Sequence, residues 1–175
     1  MAPPLKPLAS AAQRPVDPRV RIGHGHLKVS DLDQALAFYC GVVGFELMQR
    51  IGDEAAFLAA GGYHHHLGLN TWDSRGGGRP APGTTGLYHV AILYPDRASL
   101  ADALLRLDAA GVPLTGASDH GVSEALYLDD PDGNGLDLYR DRPPEAWPRN
   151  EDGSLAMCTR RLDVDALRAE GQVSD

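Results

Sequence analysis

Cysteine is nearly missing from this chain: Cys40 and Cys158 are the only two in 175 residues, and neither lies in a metal-type or redox-type pair. That leaves no cysteine-built zinc site and no dithiol redox motif, and it fits a reducing compartment. Cys40 falls inside an expected amphipathic helix, where a free thiol behaves as a small buried hydrophobe. Long apolar runs are absent too. With no stretch of 18 apolar residues the sequence predicts no membrane span. Met1 to Pro18 is rich in Pro and Ala but lacks the apolar core of a secretory signal, so it reads as a flexible leader and the protein as cytoplasmic. Positive charge is in deficit, with 16 Lys and Arg against 24 Asp and Glu and a formal net charge of −8. No basic stripe is offered to nucleic acid, and an anionic membrane surface is disfavoured. The acid is spread along the chain, as on a solvated surface.

What is present is a repeat. His24-Gly-His-Leu-Lys-Val-Ser-Asp31 and His89-Val-Ala-Ile-Leu-Tyr-Pro-Asp96 each set a histidine seven residues ahead of an aspartate, on an apolar run that gives way to a helix-like stretch. The copies lie 65 residues apart, too long for a solenoid unit but suited to a duplicated module. At 43% hydrophobic and 23% charged, the composition is that of an ordinary globular protein with room for two small modules on a shared core.

The first module spans 20–75. Arg21 to Val29 alternates as a strand with Ile22, His24 and His26 on one face, and Ser30 or Asp31 caps a helix carrying Leu32, Ala35, Leu36 and Tyr39. Gly41 and Gly44 end that helix, and three short strands follow: Phe45 to Arg50, Glu54 to Ala59 and His64 to Thr71. A Gly/Pro linker occupies 76–84. The pattern restarts over 85–142 with a strand from Leu87 to Tyr94 and a helix capped by Asp96. The strands after it are Leu114 to Ala117, Glu124 to Leu128 and Leu136 to Tyr139, the last two joined by the turn Asp130-Pro-Asp-Gly-Asn-Gly135. The expected fold is α+β: two βαβββ modules forming one cupped mixed sheet around a metal site. A polar tail, 143–175, ends in a short helix from Val164 to Glu170.

Matching the last strands of the copies aligns Leu67-Gly68-Leu69 with Leu136-Asp137-Leu138. Asp137 must point away from its two leucines. Asp132, Gly133, Asn134 and Gly135 already supply the preceding turn, so Asp137 has no turn to make. The repeat therefore offers two histidines, His24 and His89, and one carboxylate, Asp137. Such a set leaves open positions on a metal and suits Fe(II) that must take both substrate and O2. Zinc enzymes also use three protein ligands, so the trio alone does not choose the metal.

These residues carry a resemblance. Gly23-His24-Gly-His-Leu-Lys-Val-Ser-Asp31, Phe38-Tyr39 and Val43-Gly44-Phe45 resemble the first module of the vicinal oxygen chelate superfamily, and Asp130 to Leu138 resembles its second-module ending. The superfamily includes glyoxalase I, extradiol dioxygenases, epimerases and antibiotic-resistance proteins, so the fold alone selects no activity. Gly68 removes one of the two glutamates that the similar glyoxalases use. Resemblance to dioxygenases of the catechol 2,3-dioxygenase type implies that Tyr63-His64-His65-His66-Leu67 supplies an acid-base histidine. It also implies that Tyr127, ten residues before the carboxylate, and His120 assist it. The carboxylate in that family is usually glutamate, whereas this chain has the shorter aspartate.

The resemblance thus implies an Fe(II)-dependent extradiol dioxygenase acting on a small catechol and O2, with manganese, zinc or nickel as other candidate metals. His24, His89 and Asp137 would hold the metal, and His65, Tyr127 and His120 would be catalytic. His26, His64, His66 and Asn70 are expected on the substrate side. Motif similarity favours His65 as the base, while strict alternation puts His64 and His66 on the face of Gly68, so the choice stays open. The alternatives are a glyoxalase-like isomerase or epimerase and a non-catalytic drug-binding protein. A homodimer is common in the superfamily.

Overall fold

The computed structural model describes residues 15–172; residues 1–14, most of the expected leader, and 173–175 lie outside it. The fold is α+β. Strands β1 (Gly25–Lys28), β2 (Glu46–Ile51), β3 (Ala55–Ala59) and β4 (Leu67–Asn70) form a sheet in the order β1-β4-β3-β2. Strands β5 (Val90–Tyr94), β6 (Gly116–Asp119), β7 (Ser123–Asp129), β8 (Gly135–Asp141) and β9 (Arg160–Arg161) form a second, β5-β8-β7-β6-β9. The expected single cupped sheet resolves into these two hydrogen-bonded sheets. In each, the first strand runs parallel to the last of its module, β1 beside β4 and β5 beside β8.

Both first strands begin later than alternation alone suggests. β1 gains a partner only where β4 starts, at Gly25 opposite Leu67, and β5 only at Val90 opposite Leu136. Ile22 and Tyr88 consequently lie exposed. His24 and His89 sit at equivalent places, one residue ahead of their ladders.

The helices follow their caps. Asp31 Oδ1 accepts the Gln34 amide at 2.8 Å and starts α1 (Leu32–Phe38). Asp96 Oδ1 accepts the Ser99 amide at 2.8 Å and starts α2 (Arg97–Ala109). Each cap contributes about 1 kcal/mol. After α1 the chain widens into a π-helical turn, Tyr39–Val43, which holds Cys40 and ends at Gly44 with φ +97°. A left-handed φ of that kind suits glycine.

One apolar core serves both modules. Leu27, Phe38, Leu58 and Leu69 pack in the same cluster as Leu100, Leu104, Leu126, Leu136 and Leu138. Truncating any of these leucines to alanine costs about 2–5 kcal/mol. The C-terminal segment packs against the second module. Its Leu162 and Leu167 belong to this core, α3 (Val164–Gln172) packs on α2, and β9 extends the β6 edge. No helix among the described residues is long and apolar enough to cross a membrane.

The turn after β7 does more than reverse the chain. Asp130 is 1% exposed, and its Oδ1 accepts the amides of Asp132 and Asn134 while Oδ2 accepts the Tyr39 hydroxyl and the Asn134 side chain. Asp132 Oδ2 in turn accepts the Ser30 amide at 3.0 Å. These bonds staple the second module to the start of the first helix. A second buried carboxylate, Glu124 on β7, accepts from Arg97, Arg140 and Arg142, each at 3.0 Å, joining α2 to β8. A buried charge without such partners would be costly.

Candidate metal centre

Asp137 lies between Leu136 and Leu138, which enter the core, so its carboxylate faces the opposite, open side of the sheet. Across the ladder on that side stands Tyr127. His89 arrives from the lead-in to β5, which passes so close over β8 that a Cβ on Gly135 would collide with the Tyr88 carbonyl oxygen. His89 Nε2 stands 3.8 Å from Asp137 Oδ2, too far for a hydrogen bond. Asp137 Oδ1 is buried and has no hydrogen-bond partner. Burial raises the Asp137 pKa, and the nearby His89 and His120 only partly oppose it.

Around this pair the polar groups are ordered. The Tyr127 ring stacks on His89 with centroids 6.0 Å apart. Its hydroxyl lies 2.6 Å from His120 Nε2, and His120 Nδ1 lies 2.8 Å from the Cys158 carbonyl oxygen. Burial first, and then the Asp137 charge, push the Tyr127 phenol above its ordinary pKa, so it stays protonated. His89, His120, Tyr127, Tyr88 and Thr159 line a cavity of about 470 Å³.

The first module presents a different surface. His26 stands opposite Gly68, and a Cβ on Gly68 would come within 2.9 Å of the His26 ring. That imidazole occupies the place where the matching strand carries its carboxylate. Phe57, 6.1 Å away, and Trp72, 5.6 Å away, flank it. His65 packs 4.4 Å from His24 and 5.1 Å from Phe57, and its Nδ1 lies 2.8 Å from His64 Nδ1. Strict alternation does not govern 63–66, because the strand starts only at Leu67. His66 instead accepts the Ala60 amide at Nδ1 and lies beside Tyr63. Asn70 is buried, its Oδ1 taking the Trp72 amide at 3.2 Å. Burial, then the His24 charge, lowers the His26 pKa. Loss of water, then repulsion from His24 and His64, lowers that of His65.

The two halves meet along their first strands, where a Cβ on Gly25 would touch Val90 at 3.4 Å. His24 and His89 therefore head adjacent strands. The structure brings His89 to Asp137 but leaves His24 beside His65, and no three metal-type side chains close into a cage among the described residues. A divalent cation fits what is assembled: an orphaned, buried carboxylate oxygen beside a histidine is a donor pair that lacks its acceptor. Phe57, Trp72, Ser118 and Thr159 also belong to the two clusters. Nothing in the repeat marked them, since Trp72 and Thr159 lie beyond the strands that define it.

A family model matches residues 21–138, almost the whole of both modules. The chain belongs to the glyoxalase/bleomycin resistance protein/dioxygenase superfamily. A catechol-2,3-dioxygenase of Bacillus subtilis is 44% identical over 149 residues, covering 85% of this chain and 51% of that protein. A biphenyl-2,3-diol 1,2-dioxygenase of Rhodococcus globerulus is 32% identical over 69% of this chain and 63% of its own length. This superfamily member thus spans between half and two thirds of those relatives. Among solved structures, a glyoxalase/dioxygenase from Nostoc punctiforme superposes with a TM-score of 0.60 at 17% identity, covering 75% of this chain and 99% of that one, which shows the shared fold.

Proposed function

We propose that this protein is an Fe(II)-dependent extradiol dioxygenase of small catechols. The observation that carries the proposal is the orphaned Asp137 oxygen beside His89, on an open face that also presents Tyr127 and His120. His89 and Asp137, completed by His24 from the adjacent strand, would hold the metal. Held there, Fe(II) would supply Lewis acidity and open coordination positions, the chemistry that activation of a diol and O2 requires. The relatives named for catechol and biphenyl-diol oxygenation support the same chemistry.

The protein's own groups divide the remaining work. His65 is the base: its lowered pKa keeps it neutral near pH 7, and with Nδ1 turned to His64 it takes the phenolic proton at Nε2. Tyr127, oriented by His120, hydrogen-bonds the diol. His26, with Phe57 and Trp72, forms an aromatic wall for the ring of the substrate. His64 holds His65, while His66 and Asn70, whose polar atoms serve backbone amides, shape the wall behind it. An isomerase would want a second carboxylate from the first module, and at Gly68 the His26 ring fills that space.

The test is metal analysis of protein purified without oxygen, with catechol-dependent O2 uptake measured on the same sample. About one Fe(II) per chain with uptake dependent on both iron and catechol supports the reading. Stoichiometric metal with no uptake on any catechol overturns it.

A further inference from the structure

The C-terminal segment crosses the open end of the second sheet and is tied down on both sides of that crossing. Before it, the Trp147 indole donates to the Arg142 carbonyl at 2.7 Å, and the Ala156 amide donates to the Pro148 carbonyl at 2.9 Å. After it, β9 pairs with β6, Leu162 and Leu167 enter the core, Arg168 meets Asp108, and Arg97 meets Glu170. At the crossing itself, Cys158 and His120 are bonded twice. The Cys158 amide donates to the His120 carbonyl at 3.1 Å, and the Cys158 carbonyl faces His120 Nδ1 at 2.8 Å.

A carbonyl oxygen can only accept, so Nδ1 must carry the proton of the neutral imidazole. The Thr159 hydroxyl is the competing partner, but at 3.4 Å it is much the poorer one. With Nδ1 protonated, Nε2 holds a lone pair, and the Tyr127 hydroxyl 2.6 Å away must be the donor of that bond. The direction of the whole chain, Tyr127 to His120 to the tail, is therefore set by one backbone carbonyl.

We infer that the backbone of Cys158 is a positioning element for the site: it fixes His120 as the Nδ1–H tautomer and so spends the Tyr127 proton inward, leaving Tyr127 to face the cavity as a hydrogen-bond acceptor. A diol that binds there is recognised through an O–H donor, a neutral catechol hydroxyl rather than its methyl ether. The catalytic consequence rests on the dioxygenase reading; the tautomer does not. The thiol donates to the Asp119 carbonyl at 3.9 Å rather than to His120, whose two bonds to Cys158 both run through the main chain.

Two substitutions separate these roles. Cys158→Ala keeps both backbone bonds to His120, gives up only the weak thiol contact with Asp119, and should leave the His120 tautomer unchanged. Cys158→Pro removes the amide that holds the segment to His120 and displaces the carbonyl. The tautomer is read by nitrogen-15 NMR of the imidazole in metal-free protein, with Tm recorded for each variant and His120→Asn used to assign the signals. Parent and Cys158→Ala should show His120 protonated at Nδ1, and Cys158→Pro should shift toward the mixture of an unconstrained imidazole. In iron-loaded protein, catechol kcat should fall about 10- to 100-fold in Cys158→Pro, the scale of a misplaced catalytic group. A parent His120 protonated at Nε2 overturns the inference whatever the activity. Should Cys158→Pro fail to fold, the tautomer of the parent and Cys158→Ala still decides. A parent with the Nδ1–H tautomer but no turnover on catechols would instead refute the dioxygenase reading and leave the positioning intact.

Discussion

The Tyr39 hydroxyl donates to Asp130 Oδ2 at 2.9 Å across 91 residues of sequence, and both groups are buried. Burial and the facing Asp130 charge drive the Tyr39 pKa far above the ordinary phenol value, so the donor never ionises in the accessible range. One hydrogen bond thus joins the π-helical turn after α1 of one module to the last turn of the other.

Tyr39→Phe should therefore destabilise the fold by about 1–3 kcal/mol, because it leaves a buried carboxylate short of one donor. Urea denaturation would show a lower midpoint with an unchanged slope. The loss should be constant between pH 6 and 9, since the raised pKa keeps the Tyr39 phenol protonated throughout. A midpoint equal to that of the parent would mean that the staple contributes nothing to stability.

Removing Asp137 should have opposite effects on metal and on fold. Alanine at His24, His89 or Asp137 should strip the metal while leaving far-UV dichroism intact. In metal-free protein, however, Asp137→Asn should raise stability at pH 7 by about 1 kcal/mol, because it relieves a buried, unpartnered charge. The sign follows from the raised carboxyl pKa: the folded state holds the proton more tightly than the unfolded chain, whose value is near 3.8. Stability linked to this group is complete below that value and is lost as pH rises through the folded pKa. The gain from Asn should accordingly vanish below pH 3.8. Full metal content in His89→Ala would sink the ligand assignment and make His26 the next residue to test.

His65→Ala should retain iron and bind catechol, yet lose turnover by about two to four orders of magnitude if it is the acid-base group. The same change at His64 or His66 should be milder, since His66 is turned toward Ala60 and Tyr63. Stopped-flow binding and steady-state turnover separate the two effects. If His66→Ala is the damaging variant, the base has been assigned to the wrong histidine.

Asp137→Glu should keep metal and part of the O2 uptake, as it restores the carboxylate common in the resembling enzymes. Gly68→Glu should abolish uptake, and Gly68→Ala should already impair it, because even a methyl group meets the His26 ring at 2.9 Å. Uptake in Gly68→Ala equal to that of the parent would show that the His26 ring takes no part in substrate binding. Thiol-dependent isomerisation of methylglyoxal in the parent, without oxygen uptake on any catechol, would overturn the reaction class.

Much of this architecture was legible in the chain, because the signals are local. Alternation and one-sided stripes mark strands and helices, Asp31 and Asp96 sit where caps are needed, and the leucines flanking Asp137 force its carboxylate to the open face. Family membership follows from the same repeat. What lies beyond short-range pattern was decided by tertiary contact. Where β1 and β5 begin depends on partners more than 40 residues away, which is why His24 and His89 fall just outside their ladders. His65 packs on Phe57 and His24, in a stretch too irregular for alternation to apply. The Asp130 turn becomes a staple, and an unremarkable tail carbonyl comes to orient His120, through partners 91 and 38 residues distant. Periodicity reports which face a residue takes, but the identity of its neighbour there is a non-local property, set only when the shared core closes.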